Sequence, residues 1–422
     1  MLRLKSKFGR NVLTLASGTA LSQGVTVLIS PILTRLYSPF EYGPFAVYLA
    51  LVSILSVLAT FRYDYVTMYA ESDKDAWRSL WLISSISLIA SVVFLPSLFL
   101  FRHIIERWMG EKLSFGILVY ACISIFLTGI YQGFFFWCNR KESYRRISES
   151  DILRSICAAI VSIVLGVIHW GTTGLIFGSI AGQIVGTSLL MIQTYRSREK
   201  VRSPKINELV RLAKSYKECT IYLLPAGFCE RVSAQTHIIL LSLFFGSSVT
   251  GAIGLHQKVV SLPVQIFGNS VGNVFKQRVS QDLRKNGNCL SLLYKATSRL
   301  FLMALAPFLS LLFAAPVLFS LVFGAEWRIA GEYSQILSWV FLAAFVVSPI
   351  SPLIVIGGFQ RFHFLMQLVM IPLTATSIIV GYYANDVKTA LKLFAVVYFL
   401  KYLVQLGVCI KVAKGSRPLS QA

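Results

Sequence analysis

The sequence predicts an all-α membrane protein of about twelve transmembrane helices, and three observations carry that reading. Long apolar stretches alternate with short basic connections over all 422 residues, with no soluble-type segment between them. Hydrophobic residues make up 55% of the chain and charged residues only 14%, against about 25% charged in soluble domains. Mean hydropathy is +0.68. A helix needs about 20 mainly apolar residues to cross ~30 Å of hydrocarbon, and that length recurs throughout.

The predicted spans are 11–34, 44–70, 79–101, 113–137, 152–170, 172–193, 219–244, 250–274, 299–323, 333–356, 363–382 and 389–412. The first follows the basic opening MLRLKSKFGR. It is too long for a signal peptide and no A-x-A cleavage site follows, so it reads as a retained span. The second places Ser53, Ser56, Thr60, Asp64 and Thr67 on one face. Arg62 points almost opposite to Asp64, because residues two apart are about 200° apart on a helix. The sixth carries Gly174, Gly178, Gly182 and Gly186 on one face, the small-x-x-x-small spacing that lets two backbones approach. Residues 194–218 then place Ile206, Leu209, Val210, Ala213 and Tyr216 at helical spacing, as expected of an amphipathic linker helix on the cytoplasmic leaflet.

The seventh span has Glu230 and Arg231 near its middle; Glu230 shares a face with Ser233 and His237, and Arg231 with Gln235. The eighth places Gly254, Lys258, Ser261, Gln265, Asn269 and Gly272 within about 60° of one line at 100° per residue. Ionisable groups inside a membrane cost roughly 2.5–3.5 kcal/mol on insertion scales and normally face protein or water. The stripe on span eight therefore reads as the lining of a water-filled lumen. Prolines such as Pro96, Pro225, Pro263 and Pro372 interrupt many spans and permit kinks.

Charge sets the orientation. Of 40 Lys and Arg, 29 lie in segments on the amino-terminal side. Seven lie in the opposite loops: Arg35, Arg102, Arg107, Lys112, Arg328, Lys388 and Lys392. The positive-inside rule then places both termini in the cytoplasm. The formal charge of +22 is mostly a topology signal, and no nucleic-acid partner is expected. Seven scattered cysteines without a C-x-x-C pair support neither a disulfide framework nor a zinc site.

The chain also halves itself. LYSPFEYGPFAVYL at 36–49 and FFGSSVTGAIGLHQ at 244–257 align at an offset of 208, with Gly43 on Gly251 and Tyr48 on His256. The expected organisation is an N-terminal six-helix lobe (1–193), the linker (194–218) and a C-terminal six-helix lobe (219–422). Parallel repeats around a central cavity are a transporter architecture. There is no P-loop and no H-E-x-x-H. The short outer loops also argue against a catalytic domain, so neither an enzyme nor a cofactor is expected.

The segment Pro31–Asp64, PILTRLYSPFEYGPFAVYLALVSILSVLATFRYD, resembles the bacterial O-antigen flippases, Wzx-type members of the multidrug/oligosaccharidyl-lipid/polysaccharide exporter superfamily. The resemblance rests on P-x-L-T-R-L-Y-S-P-x-x-[FY]-G, the later R-Y-[DE], and the G-x-x-W-x-x-A-G stretch within Phe323–Tyr333. Tyr42 and Pro44 depart from the acidic and apolar residues that commonly flank the motif glycine. It implies two six-helix lobes around a cationic cavity in a bacterial inner membrane. The implied cargo is an undecaprenyl-diphosphate-linked oligosaccharide, with membrane lipids and other polysaccharide-assembly proteins as partners.

The expected cavity residues are Arg35, Arg62, Arg231, Lys258, Gln265 and Asn269, with Asp64 and Glu230 as coupling carboxylates for a proton or cation. Three alternatives stand beside this reading: a cation-coupled multidrug exporter of the same fold, a membrane-embedded glycan polymerase, and a non-transporting assembly scaffold.

Overall fold

Apolar runs with few helix breakers fold as long helices, and the breakers decide where each one stops. A computed structural model describes residues 7–109, 115–196, 204–286 and 288–415. The helices are α1 (Lys7–Leu36), α2 (Pro39–Thr60), α3 (Asp64–Tyr69), α4 (Asp73–Leu100), α5 (Arg102–Met109), α6 (Phe115–Arg140), α7 (Tyr144–Val167) and α8 (Gly171–Arg196). They continue as α9 (Ile206–Ser215), α10 (Leu224–Phe245), α11 (Ser247–Asn286), α12 (Leu290–Phe323), α13 (Arg328–Val347), α14 (Pro352–Ile356), α15 (Gln360–Tyr383) and α16 (Val387–Ala413). A π-turn at Cys219–Leu223 leads into α10, and a 3₁₀ turn at Ala325–Trp327 leads into α13. Among the described residues there is no strand, and nine helices are long and apolar enough to cross a membrane. The chain is an all-α, multi-pass membrane protein.

The outer faces carry exposed Leu28, Ile89, Val92, Ile160, Leu302, Phe313 and Leu321. In hydrocarbon, burying such side chains against protein gains nothing over lipid, so helices associate instead through small residues and hydrogen bonds. The sixth-span glycines act in this way. A Cβ at Gly178 would stand 1.9 Å from Ser162 Oγ, and one at Gly182 would stand 2.5 Å from the Arg154 carbonyl. That face of α8 is closed by α7.

The chain divides into two compact units, residues 1–248 and 249–422. In the first, the LYSPFEYG motif builds a corner. The buried Tyr37 hydroxyl donates to the Ser162 carbonyl at 2.7 Å, and Ser38 caps α2 in a reciprocal box with Glu41. Thr172 donates to the Glu41 carbonyl at 3.0 Å. A Cβ at Gly43 would meet the Ser247 carbonyl at 2.2 Å, so only glycine fits. In the second unit, Trp327 is fully buried and Gly331 lies on the α12 backbone at Ala315–Pro316.

The repeat is visible in hydrogen bonds. In one unit Tyr48 of α2 pairs with Ser124 of α6 at 2.8 Å; in the other, His256 of α11 pairs with Ser334 of α13, also at 2.8 Å. These are the two positions that the sequence offset aligns.

The structure corrects several boundaries. The second span, expected unbroken over 44–70, ends at Thr60 and resumes as α3. The span expected over 333–356 divides at Pro349–Pro352 into α13 and α14, because proline removes a helix hydrogen bond. Helices α11 and α12 run past the predicted membrane limits to 40 and 34 residues. The basic sequence there contains no breaker until Gly287. The linker helix α9 forms where expected. It is docked through buried Leu209 and Leu212, and Arg78 of α4 bonds Glu208 at 3.2 Å.

Candidate functional site

The break between α2 and α3 gathers the unusual chemistry of the first unit. Phe61 and Arg62 both adopt left-handed backbone, with φ of 46° and 61°. Such a conformation costs an L-residue roughly 1–2 kcal/mol. The surroundings hold it in place. Thr60 accepts from the Arg62 amide at 3.3 Å, and Thr220 in the π-turn donates to the Phe61 carbonyl at 2.9 Å. Tyr63 donates to the Ala213 carbonyl of α9 at 3.1 Å. The linker is thus tied directly to the break.

The turn lifts Arg62 off the helix and lays its guanidinium on α10. A Cβ at Gly227 would stand 1.9 Å from Nη2, so the missing side chain of Gly227 is the slot that admits the arginine. The guanidinium carbon lies 5.5 Å from the Tyr65 ring centroid, a cation–π distance. Its Nε is buried without a partner among the described residues.

Asp64 is only 3% exposed. Its carboxylate accepts from the Thr60 hydroxyl at 3.5 Å and from the Asp64 and Tyr65 backbone amides. The helix break thus turns Asp64 inward. Thr67 likewise bonds Ser79 at 2.8 Å inside the unit.

Glu230 and Arg231 follow Gly227 at i+3 and i+4, so all three lie on neighbouring parts of one α10 face. Both charged residues are exposed, and neither has an ion pair within 4 Å among the described residues. Ser233 and His237, expected beside Glu230, are buried instead. Two exposed charges of opposite sign, neither with an ion-pair partner, fit a hydrated face better than hydrocarbon.

The structure thus seats Arg62 against Gly227, one turn from Glu230 and Arg231 on α10, with Asp64 buried on the other side of the break. Arg35 stands apart. It is exposed in the last turn of α1, and the 22 residues of α2, about 33 Å of helix, separate the ends of that element. In the second unit Lys258 is half-buried and has no carboxylate within 4 Å among the described residues. The side chains of Gln265 and Asn269 lie outside the described residues. Gly272, at the foot of the same stripe, packs towards the Pro349 carbonyl.

Sequence reasoning missed Gly227 and Thr220; a glycine one turn before a charged pair was the available signal. It also left Asp151 just outside the span predicted over 152–170 and gave Arg154 no role. Both lie on α7, where the Tyr131 hydroxyl donates to Asp151 and Arg154 lies 5.3 Å from the Tyr131 ring. Among the described residues no cluster of His, Cys, Asp and Glu could hold a metal ion.

The arrangement offers an exposed cation on α10 and a guanidinium seated at Gly227. Comparison with known proteins identifies the family. The family model "Polysaccharide biosynthesis protein" matches residues 32–331. The succinoglycan biosynthesis transport protein ExoT of Rhizobium meliloti (strain 1021) is 22% identical over 371 residues, covering 86% of this chain and 72% of that protein. Among solved structures, the lipid II flippase MurJ in an inward closed conformation superposes with a TM-score of 0.72 at 12% identity, covering 95% and 90% of the two chains. A transporter of the MOP superfamily from Pyrococcus furiosus Vc1 (DSM3638) gives 0.60 at 12% identity, covering 96% and 95%. The chain belongs to the polysaccharide biosynthesis protein family and has the fold of the MOP-superfamily transporters.

Proposed function

We propose that this protein is a flippase that moves undecaprenyl-diphosphate-linked oligosaccharide repeat units, of O-antigen or a related polysaccharide, from the cytoplasmic to the periplasmic leaflet. The observation that carries the reading is the sign of the unpaired intramembrane charge. Arg62, Arg231 and Lys258 lack ion pairs within 4 Å among the described residues, against Glu230 as the one such carboxylate among the expected site residues, and this positive excess suits an anionic cargo. Arg231 and Lys258 attract the diphosphate, and Gln265 and Asn269 hydrogen-bond sugar hydroxyls. Arg35 meets the headgroup at the far end of its path. The polyprenyl tail stays in lipid. The halves 1–193 and 219–422 alternate about the linker, and Asp64 or Glu230 exchanges a proton or cation as the cargo leaves. The orientation has both termini in the cytoplasm of a bacterial inner membrane.

A cation-coupled drug exporter would take cationic cargo, and the unpaired arginine and lysine count against it. The test is leaflet sidedness of lipid-linked oligosaccharide after depletion of the protein, read with a glycan-modifying enzyme. Complete repeat units trapped on the cytoplasmic face are expected; normal levels and sidedness reject the proposal. The folded double variant Arg231→Gln/Lys258→Gln should restore less than a tenth of the transport that the wild-type chain restores, by roughly 1.4 kcal/mol or more of lost cargo binding.

A further inference from the structure

A second cationic feature lies away from the break. At the ends of α7 and α8 a cavity of about 420 Å³ is lined by Arg145, Arg146, Glu149, Gln193 and Arg196. The lining carboxylate is fully used: Arg145 donates to one oxygen of Glu149 at 2.7 Å and Gln193 to the other at 3.0 Å. Arg196 has no ion pair among the described residues. Three guanidinium groups line the pocket against one carboxylate. The start of α7 adds to this, since it has no acidic residue in its first turn and no side-chain cap from Ser143. The positive end of the helix dipole therefore reinforces the arginines where an acidic residue would ordinarily offset it.

Below the pocket the same face of α7 turns apolar. Arg145 and Glu149 are followed at helical spacing by Leu153, Ile156, Ile160, Val164 and Val167, all exposed. From Leu153 to Val167 this strip runs about 21 Å. An anion-binding pocket above a hydrocarbon-facing strip matches an amphiphile with a phosphate head and acyl chains. The strip has no polar group to carry a phosphate onward, which separates this place from a translocation path and favours a resident lipid over the transported one.

We propose that the arginine pocket of α7 and α8 holds the headgroup of an acidic phospholipid, which remains bound to the transporter as its chains lie along α7. The inference rests on the proposed flippase topology only for which leaflet supplies the lipid. Reaction of an Arg196→Cys thiol with a membrane-impermeant reagent in intact cells reads that point separately. The binding test needs no transport, so its failure is distinct from failure of the flippase reading.

The full-length protein, purified in detergent, is titrated with phosphatidylglycerol and bound lipid is read by native mass spectrometry. The double variant Arg145→Gln/Arg196→Gln should lose about thirtyfold in affinity, at about 1 kcal/mol per basic residue near a lipid surface. The same charge change at exposed basic sites elsewhere, Lys295→Gln/Arg361→Gln, should lose less than twofold. Wild-type affinity should fall as salt rises. Equal binding by the pocket variant and the control variant, with melting temperatures unchanged, overturns the proposal. Displacement of phosphatidylglycerol by equimolar undecaprenyl diphosphate overturns it too, because the pocket would then belong to the cargo.

Discussion

At the scale of single residues, Gly227 is the most instructive. Its lack of a side chain gives Arg62 a place to lie, and the atoms a Cβ would meet are the far end of a flexible chain. Gly227→Ala should therefore move the guanidinium without collapsing the helix pair. Alanine also favours the helix by about 0.8–1.0 kcal/mol, so the melting temperature should stay the same or rise. Transport should nonetheless fall as far as it does in Arg62→Gln. A variant with normal transport would show that Arg62 need not occupy the slot. The sequence identified Arg62 as chemically important but misplaced its side chain. Helical spacing places side chains only where the helix is unbroken, and nothing in TFRYD announces two consecutive left-handed residues. The same turn also buries the Asp64 carboxylate, which helical spacing alone does not show.

At the scale of elements, close backbone approach separates glycines that matter from those that do not. A Cβ at Gly331 would stand 2.5 Å from the Ala315 carbonyl and 2.6 Å from Pro316 Cα, both backbone atoms that cannot swing away. Gly331→Ala should cost about 1–3 kcal/mol, the usual range for overpacking, seen as a lower melting temperature in detergent. Gly407 has nothing within 4 Å, and Gly407→Ala should be neutral or mildly stabilising. The α16 cap offers a pH test. Asp386 is held below the usual carboxylate range, first by the Thr389 hydroxyl and then by the Lys388 and Thr389 amides. Its folded value lies below its unfolded one, so the cap stabilises above the unfolded value near 4. That stabilisation is lost as pH falls through the depressed folded value. The melting-temperature gap between wild type and Asp386→Asn should be constant near neutrality and should narrow as pH falls below the ordinary carboxylate value near 4. The glycine ladder of α8 and the helix α9 were legible from spacing alone. The extensions of α11 and α12 were not, because hydropathy reports where lipid ends and helices end at breakers.

At the scale of the whole molecule, the internal repeat and the charge bias speak to the same function. The Tyr48–Ser124 and His256–Ser334 bonds occupy equivalent places in the two halves although the residue types differ. A geometry kept with different chemistry points to a shared helix arrangement, which a faint sequence offset could only suggest. The charge bias leads to a prediction about driving force. Carrying a headgroup of about −2 outward is favoured by an inside-negative potential, at ~2.3 kcal/mol per charge per 100 mV. A potential of about 60 mV should then shift the distribution of lipid-linked diphosphate by about 2.8 kcal/mol, or roughly a hundredfold. Proteoliposomes holding the purified chain, with a potassium-diffusion potential set by valinomycin, would read this as outward movement that grows with inside-negative voltage. A cationic drug cargo would give the opposite sign, since its outward movement opposes the same field. Exchange of two protons inward for each headgroup would add to the voltage dependence, whereas two cations moving outward with it would cancel it. Voltage sensitivity therefore reports the net charge carried per cycle, and Asp64→Asn and Glu230→Gln identify the carboxylate involved. The one that couples should change the slope with voltage, while the other should change only the rate.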